Sequence, residues 1–242
     1  MNADATENLL LQAMGAERAS ALLPHFEPCD LGLGMPLETP GEPIEYAYFP
    51  ERGVVSVIVL AREGGEQVEG GLIGREGLTG QTVVLGGDRS PHLTRVQIPG
   101  HARRIRADRL REVIERDHDL QSWLLRFAQL MSIQTAHAAL AYARLRLEEK
   151  LARWLLMCHD RIESDELSLT HEFLSVMLGV RRAGVTVATH TLEGEGLIRA
   201  RRGRIEIIDR RGLRRVAGAG YGTPETEYER LIGLPMSRED RS

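Results

Sequence analysis

Residues 169–198 read LTHEFLSVMLGVRRAGVTVATHTLEGEGLI, and their spacing decides the C-terminal half of the fold. Thr170 suits an N-cap, and Phe173, Leu174, Met177 and Leu178 form the apolar face of a helix that Gly179 stops. A second helix is predicted over 181–193. Val185, Ala188 and Leu192 set its inner face, and Arg181, Arg182, Thr186 and Thr189 are expected outward. Two short helices joined by a glycine turn form a helix-turn-helix. Leu197-Ile198, the turn Arg201-Arg202-Gly203-Arg204 and Ile205-Glu206-Ile207-Ile208 then read as a hairpin with a basic tip. Helix-turn-helix plus hairpin predicts a winged helix.

Upstream, residues 148–161 form an amphipathic helix with Leu151, Trp154, Leu155 and Cys158 on one face. Residues 117–145 predict a much longer helix. Leu120, Leu124, Phe127, Met131, Gln134, Ala138, Ala141 and Leu145 recur at alternating steps of four and three along it, which is a heptad seam. Small Ala138 and Ala141 permit close approach, so Leu120, Leu124, Phe127, Met131, Ala138 and Ala141 are expected to face a second copy of the chain. A helix packed on its own domain is the alternative. A short helix is predicted over 106–116.

From about Glu27 to Gly100, Gly and Pro recur between short β-branched runs: YAYFP, VVSVIVL, QVEGGLI, QTVVLG and LTRVQIPG. Many short strands joined by turns imply an antiparallel roll or sandwich. VVSVIVL is apolar on both sides, which predicts a central strand. A short helix over 7–20 precedes the roll. The expected class is therefore α+β: an N-terminal antiparallel β-roll over 1–116, a dimerisation helix over 117–146, a winged helix-turn-helix over 147–217 and a tail over 218–242.

Charge is segregated along the 242 residues. Residues 1–100 hold 6 Arg against 14 Asp and Glu, whereas 179–216 hold 10 Arg against 4 acids. A net charge of −4 thus hides a basic region suited to a polyanion. No apolar run is long enough to span a bilayer, and the first residues do not read as a secretory signal, so no membrane partner and a cytoplasmic location are expected. Cys29 and Cys158 stand far apart, which leaves no disulfide framework, thiolate zinc site or iron-sulfur cluster.

With these elements in this order, the chain resembles the Crp/Fnr superfamily of bacterial transcription regulators, which join a cyclic-nucleotide-binding-like β-roll to a winged helix. The resemblance implies double-stranded DNA, a homodimer and RNA polymerase as partners. It places the turn glycine on Gly179 and the arginine that reads guanine on Arg182. The common glutamate beside that arginine falls on Ala183, and a second frequent arginine falls on Val187, so the usual half-site is not expected. Thr170 and His171 fall where family members contact phosphate. An Arg guanidinium can bind guanine O6 and N7 bidentately in the major groove. Thr186 and Thr189 are short donors for a phosphate or a thymine methyl, and Arg201, Arg202 and Arg204 suit the DNA backbone. A two-fold dimer sets the two recognition helices about 34–36 Å apart, which predicts an inverted-repeat operator.

Ligand-binding relatives hold ribose with a Gly-Glu pair and the cyclic phosphate with an Arg-Ser pair. This chain offers Glu76, Gly77, Arg89 and Ser90, but Glu76 precedes its nearest glycine and Pro91 removes a backbone donor after Ser90. No cofactor is expected, and a cyclic nucleotide is not expected either. The G-x-G strings at Gly32 and Gly218 lie outside any βαβ context, and no hydrolase, zincin or P-loop motif occurs, so no enzyme is expected. The competing reading is an effector-binding or protein-interaction module that has lost operator binding.

Overall fold

The computed structural model describes residues 6–61 and 65–237, so residues 1–5, 62–64 and 238–242, which fall in the expected roll and tail segments, lie outside the described residues. The helix expected over 7–20 is two: Leu9–Ala13 (α1), capped by Asn8 Oδ1 accepting from Leu11 N at 3.0 Å, and Gly15–Leu22 (α2). Gly15 separates them in the left-handed region, φ +81°.

The roll consists of Glu27–Leu31 (β1), Pro36–Glu38 (β2), Tyr46–Leu60 (β3), Gln67–Ile73 (β4) and Leu93–Arg106 (β5), paired antiparallel in the order β1-β5-β3-β4 with β2 also on β5. β3 is central, as its two apolar faces predict. It runs through both YAYFP and VVSVIVL as one strand of 15 residues, bent by register shifts between Pro50 and Val55. Gly53 sits in that bend at φ +92°, where a Cβ would collide with the Ile98 carbonyl. QTVVLG is not a strand. Gln81–Val84 is a helical turn (α3), closed by Val84 N donating to Gly80 O and Leu85 N to Gln81 O. Leu31, Phe49, Val55, Ile73, Leu78, Val96 and Ile105 fill the inside of the roll.

Ala107–Arg116 (α4) leads into His118–Arg144 (α5), 27 residues long and started by Asp117 Oδ1 accepting from Leu120 N at 2.9 Å. The seam expected to meet a partner points the other way. Leu120, Leu124, Phe127 and Met131 are buried in the chain's own core with the roll, and Ala138 and Ala141 are buried as well. β4 is the edge strand that needs them there. Gln134 brackets Leu72 (Leu72 N to Oε1 at 2.6 Å, Nε2 to Leu72 O at 3.1 Å), Thr135 Oγ1 donates to Gly70 O, and Tyr142 OH reaches Glu69 O. The exposed side of α5 carries Leu125, Gln129, Ser132, Ala136, Leu140 and Ala143 instead. Hydrophobic periodicity marked the buried stripe, and that stripe belongs to the chain itself.

Leu147–Arg161 (α6), Glu166–Leu167 (β6), His171–Met177 (α7), Arg182–Gly194 (α8), Ile198–Arg201 (β7), Arg204–Ile207 (β8) and Arg210–Ala217 (α9) make the winged helix, with sheet order β6-β8-β7. Its core is shared with the roll: Val54, Ile58 and Leu72 pack in the same cluster as Trp154, Leu155, Leu174, Val185 and Leu192. Polar contacts cross the same boundary. Arg161 Nε lies 2.8 Å from Glu76 Oε1, both groups buried, and Trp154 Nε1 donates to Glu69 Oε2 at 2.8 Å.

Residues 218–237 are packed structure where a tail was expected. A 3-10 turn over Gly218–Gly220 precedes Thr223–Ile232 (α10), which lies against α5. Tyr228 OH donates to Glu76 O at 3.0 Å, Tyr221 OH to Asp160 Oδ2 at 2.6 Å, and Arg126 Nη1 to Leu231 O at 3.2 Å. The length of the Tyr228-Ile232-Met236 apolar pattern was too short to signal this helix.

Candidate nucleic-acid interface

Thr170 caps α7, its Oγ1 accepting from Phe173 N at 3.1 Å. α7 ends in a Schellman-type turn: Gly179, at φ +64°, donates to Val176 O, and Val180 N donates to Ser175 O. The chain re-enters helix after Arg181, which holds the N-cap position of α8 in extended geometry, and Arg182 opens the helix. Both arginines are exposed. No side chain caps this helix start, so its first amides are open to an acceptor from outside.

Thr186 is half-buried and already engaged. Its Oγ1 is 3.1 Å from His171 Nδ1 and donates to Arg182 O at 3.2 Å. Burial, with Arg182 and His190 nearby, holds the His171 pKa below the ordinary histidine value. Thr189, expected outward, is 1% exposed, and its Oγ1 has no hydrogen-bond partner. It follows Val185 by four residues and therefore shares the inner face with Ala188 and Leu192. The outward positions are Arg182, Ala183, Val187 and His190, with Val187 62% exposed.

Across the turn, β7 and β8 present Arg201, Arg202 and Arg204, all exposed. Arg204 pairs with Glu166 at 3.0 Å on the neighbouring β6. The turn forms because Gly203 takes φ +75°, the conformation a two-residue hairpin loop requires. Positive charge is thus gathered at the start of α8 and at the wing tip.

The residues that the resemblance sets against an effector site, Glu76, Gly77, Arg89 and Ser90, are engaged within the roll and with α6. Glu76 pairs with Arg161 and accepts from Gly74 N at 3.1 Å. Gly77 lies under the Phe127 ring, where a Cβ would overlap the aromatic carbons. Arg89 Nη1 donates to Gly41 O at 2.7 Å, and Ser90 Oγ exchanges hydrogen bonds with the His92 backbone. A cavity of about 10 Å³ borders Glu76, Phe127, Met131, Arg161 and Tyr228, space for one water at most. Among the described residues no group of three or more His, Cys, Asp or Glu is placed to hold a metal ion, and no helix is long and apolar enough to cross a membrane.

Residues 149–216 match the family described as the Crp-like helix-turn-helix domain. No curated protein matches the chain significantly. Solved structures with similar folds include FixK2 from Bradyrhizobium japonicum, at 18% identity and TM-score 0.69 over 80% of this chain and 98% of that one. A Crp/Fnr-family transcriptional regulator from Thermus thermophilus aligns at 23% identity and TM-score 0.63 over 79% and 98%. CLP, a c-di-GMP-responsive global regulator from Xanthomonas campestris, aligns at 17% identity and TM-score 0.63 over 80% and 99%. The fold read from the sequence is the one these structures share: residues 149–216 match the Crp-like helix-turn-helix family, and the chain has the fold of these solved structures.

Proposed function

We propose that the protein is a transcription regulator that binds an inverted-repeat operator as a homodimer. The observation that carries this reading is the exposed pair Arg181 and Arg182 at the uncapped start of α8, on the same domain as the exposed wing arginines Arg201 and Arg202. Arg182 reads guanine in the major groove. The α8 amides, Thr170 and the wing arginines contact phosphate, which positions the helix without specifying sequence. Thr189 plays no part.

The dimer forms through the exposed face of α5, where Leu125 and Leu140 flank Ser132 and Ala136, with Ala143 beyond. Small residues beside the two leucines allow two such helices to approach closely. RNA polymerase is the further partner, the compartment is the cytoplasm, and the protein is not an enzyme. CLP responds to c-di-GMP, but the engaged side chains of Glu76, Arg89 and Ser90 argue against a cyclic-nucleotide phosphate at those positions in this chain.

Selection of bound duplexes from a random pool with the purified full chain tests the reading. An inverted repeat should emerge, and its affinity should fall steeply with log salt. Arg182→Ala should lose sequence selection while remaining folded, since Arg182 is exposed. A salt slope near zero and no enriched sequence would favour the interaction module that has lost operator binding.

A further inference from the structure

Val187 is an apolar side chain that the fold leaves open to water on the outward face of α8, the helix that Arg182 opens. It stands 62% exposed on α8, while Val185, Ala188 and Leu192 of that helix are fully buried. Ala183 and Val187, one turn apart, share the outward face of α8, and Arg182 lies about 140° around the helix from Val187 at its exposed N-terminal end. Of the two threonines that sequence offered as thymine contacts, Thr189 is buried, and Thr186 is half-buried with its hydroxyl held by His171 and the Arg182 carbonyl. Ala183, exposed, small and one turn before Val187 on the same face, leaves the valine free of bulk.

We infer that Val187 reads the C5-methyl group of a thymine in the same half-site in which Arg182 reads guanine. This rests on the DNA-binding reading above and adds a specificity rule to it. In the major groove only an A·T pair presents a methyl group, and an apolar side chain gains by covering it, whereas the donor and acceptor edges of the other bases would be stripped of water without a partner.

The test starts from the selected operator. Each half-site should contain a guanine and a thymine. Replacing that thymine by deoxyuridine removes only the methyl group and leaves base pairing intact. Loss of one covered methyl should weaken binding of the full chain about fourfold. In Val187→Ala, which should fold normally because the side chain is exposed, the same replacement should change binding less than about twofold. Val187→Arg should shift the preferred base at that position from thymine to guanine.

Equal affinity for thymine and deoxyuridine duplexes, or an equal loss in Val187→Ala and the unaltered chain, overturns the inference while leaving operator binding intact. Failure to select any operator instead overturns the DNA-binding reading on which it rests.

Discussion

Glu76 and Arg161 form an ion pair of 2.8 Å with both side chains almost fully withdrawn from solvent, one in the loop after β4 and the other at the last residue of α6. Glu76 Oε2 also accepts from Gly74 N, and Arg161 donates to Met157 O and Leu72 O. The carboxylate that sequence suggested for a ribose is thus the roll's anchor for the winged helix.

Removing one member of such a pair strands the other charge in the interior. Arg161→Met should cost about 3–5 kcal/mol of unfolding free energy, read by chemical denaturation. Glu76→Gln with Arg161→Met should be less destabilised than Arg161→Met alone. A loss under about 1 kcal/mol in Arg161→Met would show that the pair does not hold the two parts together.

Glu69 gives the chain a pH dependence. Burial raises its pKa to about 7, against the hydrogen bonds from Trp154 and Ser56 and the nearby charges of Arg153 and Arg161, which lower it. The folded state therefore holds this proton up to about pH 7, while an unfolded glutamate releases it near its ordinary value of 4.5. Stability should be highest below that ordinary value and should decline as pH rises towards about 7, by at most a few kcal/mol. Thermal melts from about pH 5 to 8 should show this decline, and Glu69→Gln should flatten it. An unchanged slope in Glu69→Gln would assign the effect to another group.

Two substitutions on α5 separate the two faces of that helix. Phe127→Asp buries a carboxylate in the roll's core and should unfold the protein. Leu140→Asp, on the exposed side, should leave circular dichroism unchanged and convert dimer to monomer in light scattering at about micromolar concentration. A monomeric unaltered protein under those conditions would refute the proposed interface.

Cyclic AMP and cyclic GMP should change operator affinity less than about threefold, under about 1 kcal/mol of coupling. Calorimetry checks this independently, because a nucleotide that couples to DNA must itself bind. A saturable micromolar binding heat, lost in Arg89→Ala, would restore a nucleotide site.

Most of the fold could be read because its signals are local. Gly179 marked the turn, the Arg201-Arg202-Gly203-Arg204 run marked the wing, and two-sided apolarity marked the centre of the sheet. Long-range pairing was less legible. A heptad along α5 says that one stripe is buried but not by what, and Gln134 fits the stripe only because it satisfies the Leu72 backbone. Thr189 was misplaced because its hydroxyl suggested the polar side, although its spacing of four from Val185 puts it on the inner face that Val185 and Leu192 define. Glu76 resembled a ligand residue because Arg161, 85 positions later, gives no local hint of contact.

The placement of Val54, Ile58 and Leu72 in the same apolar cluster as Trp154 and Leu192 bears on how the chain can be cut and recombined. The winged helix is not a portable cassette. Excised before Leu147, it would expose the surface that covers these three roll residues. Transplanted behind a different roll, it would need matching apolar groups on that roll's outer face. The two halves should therefore melt as one cooperative unit and diverge in sequence as a linked pair.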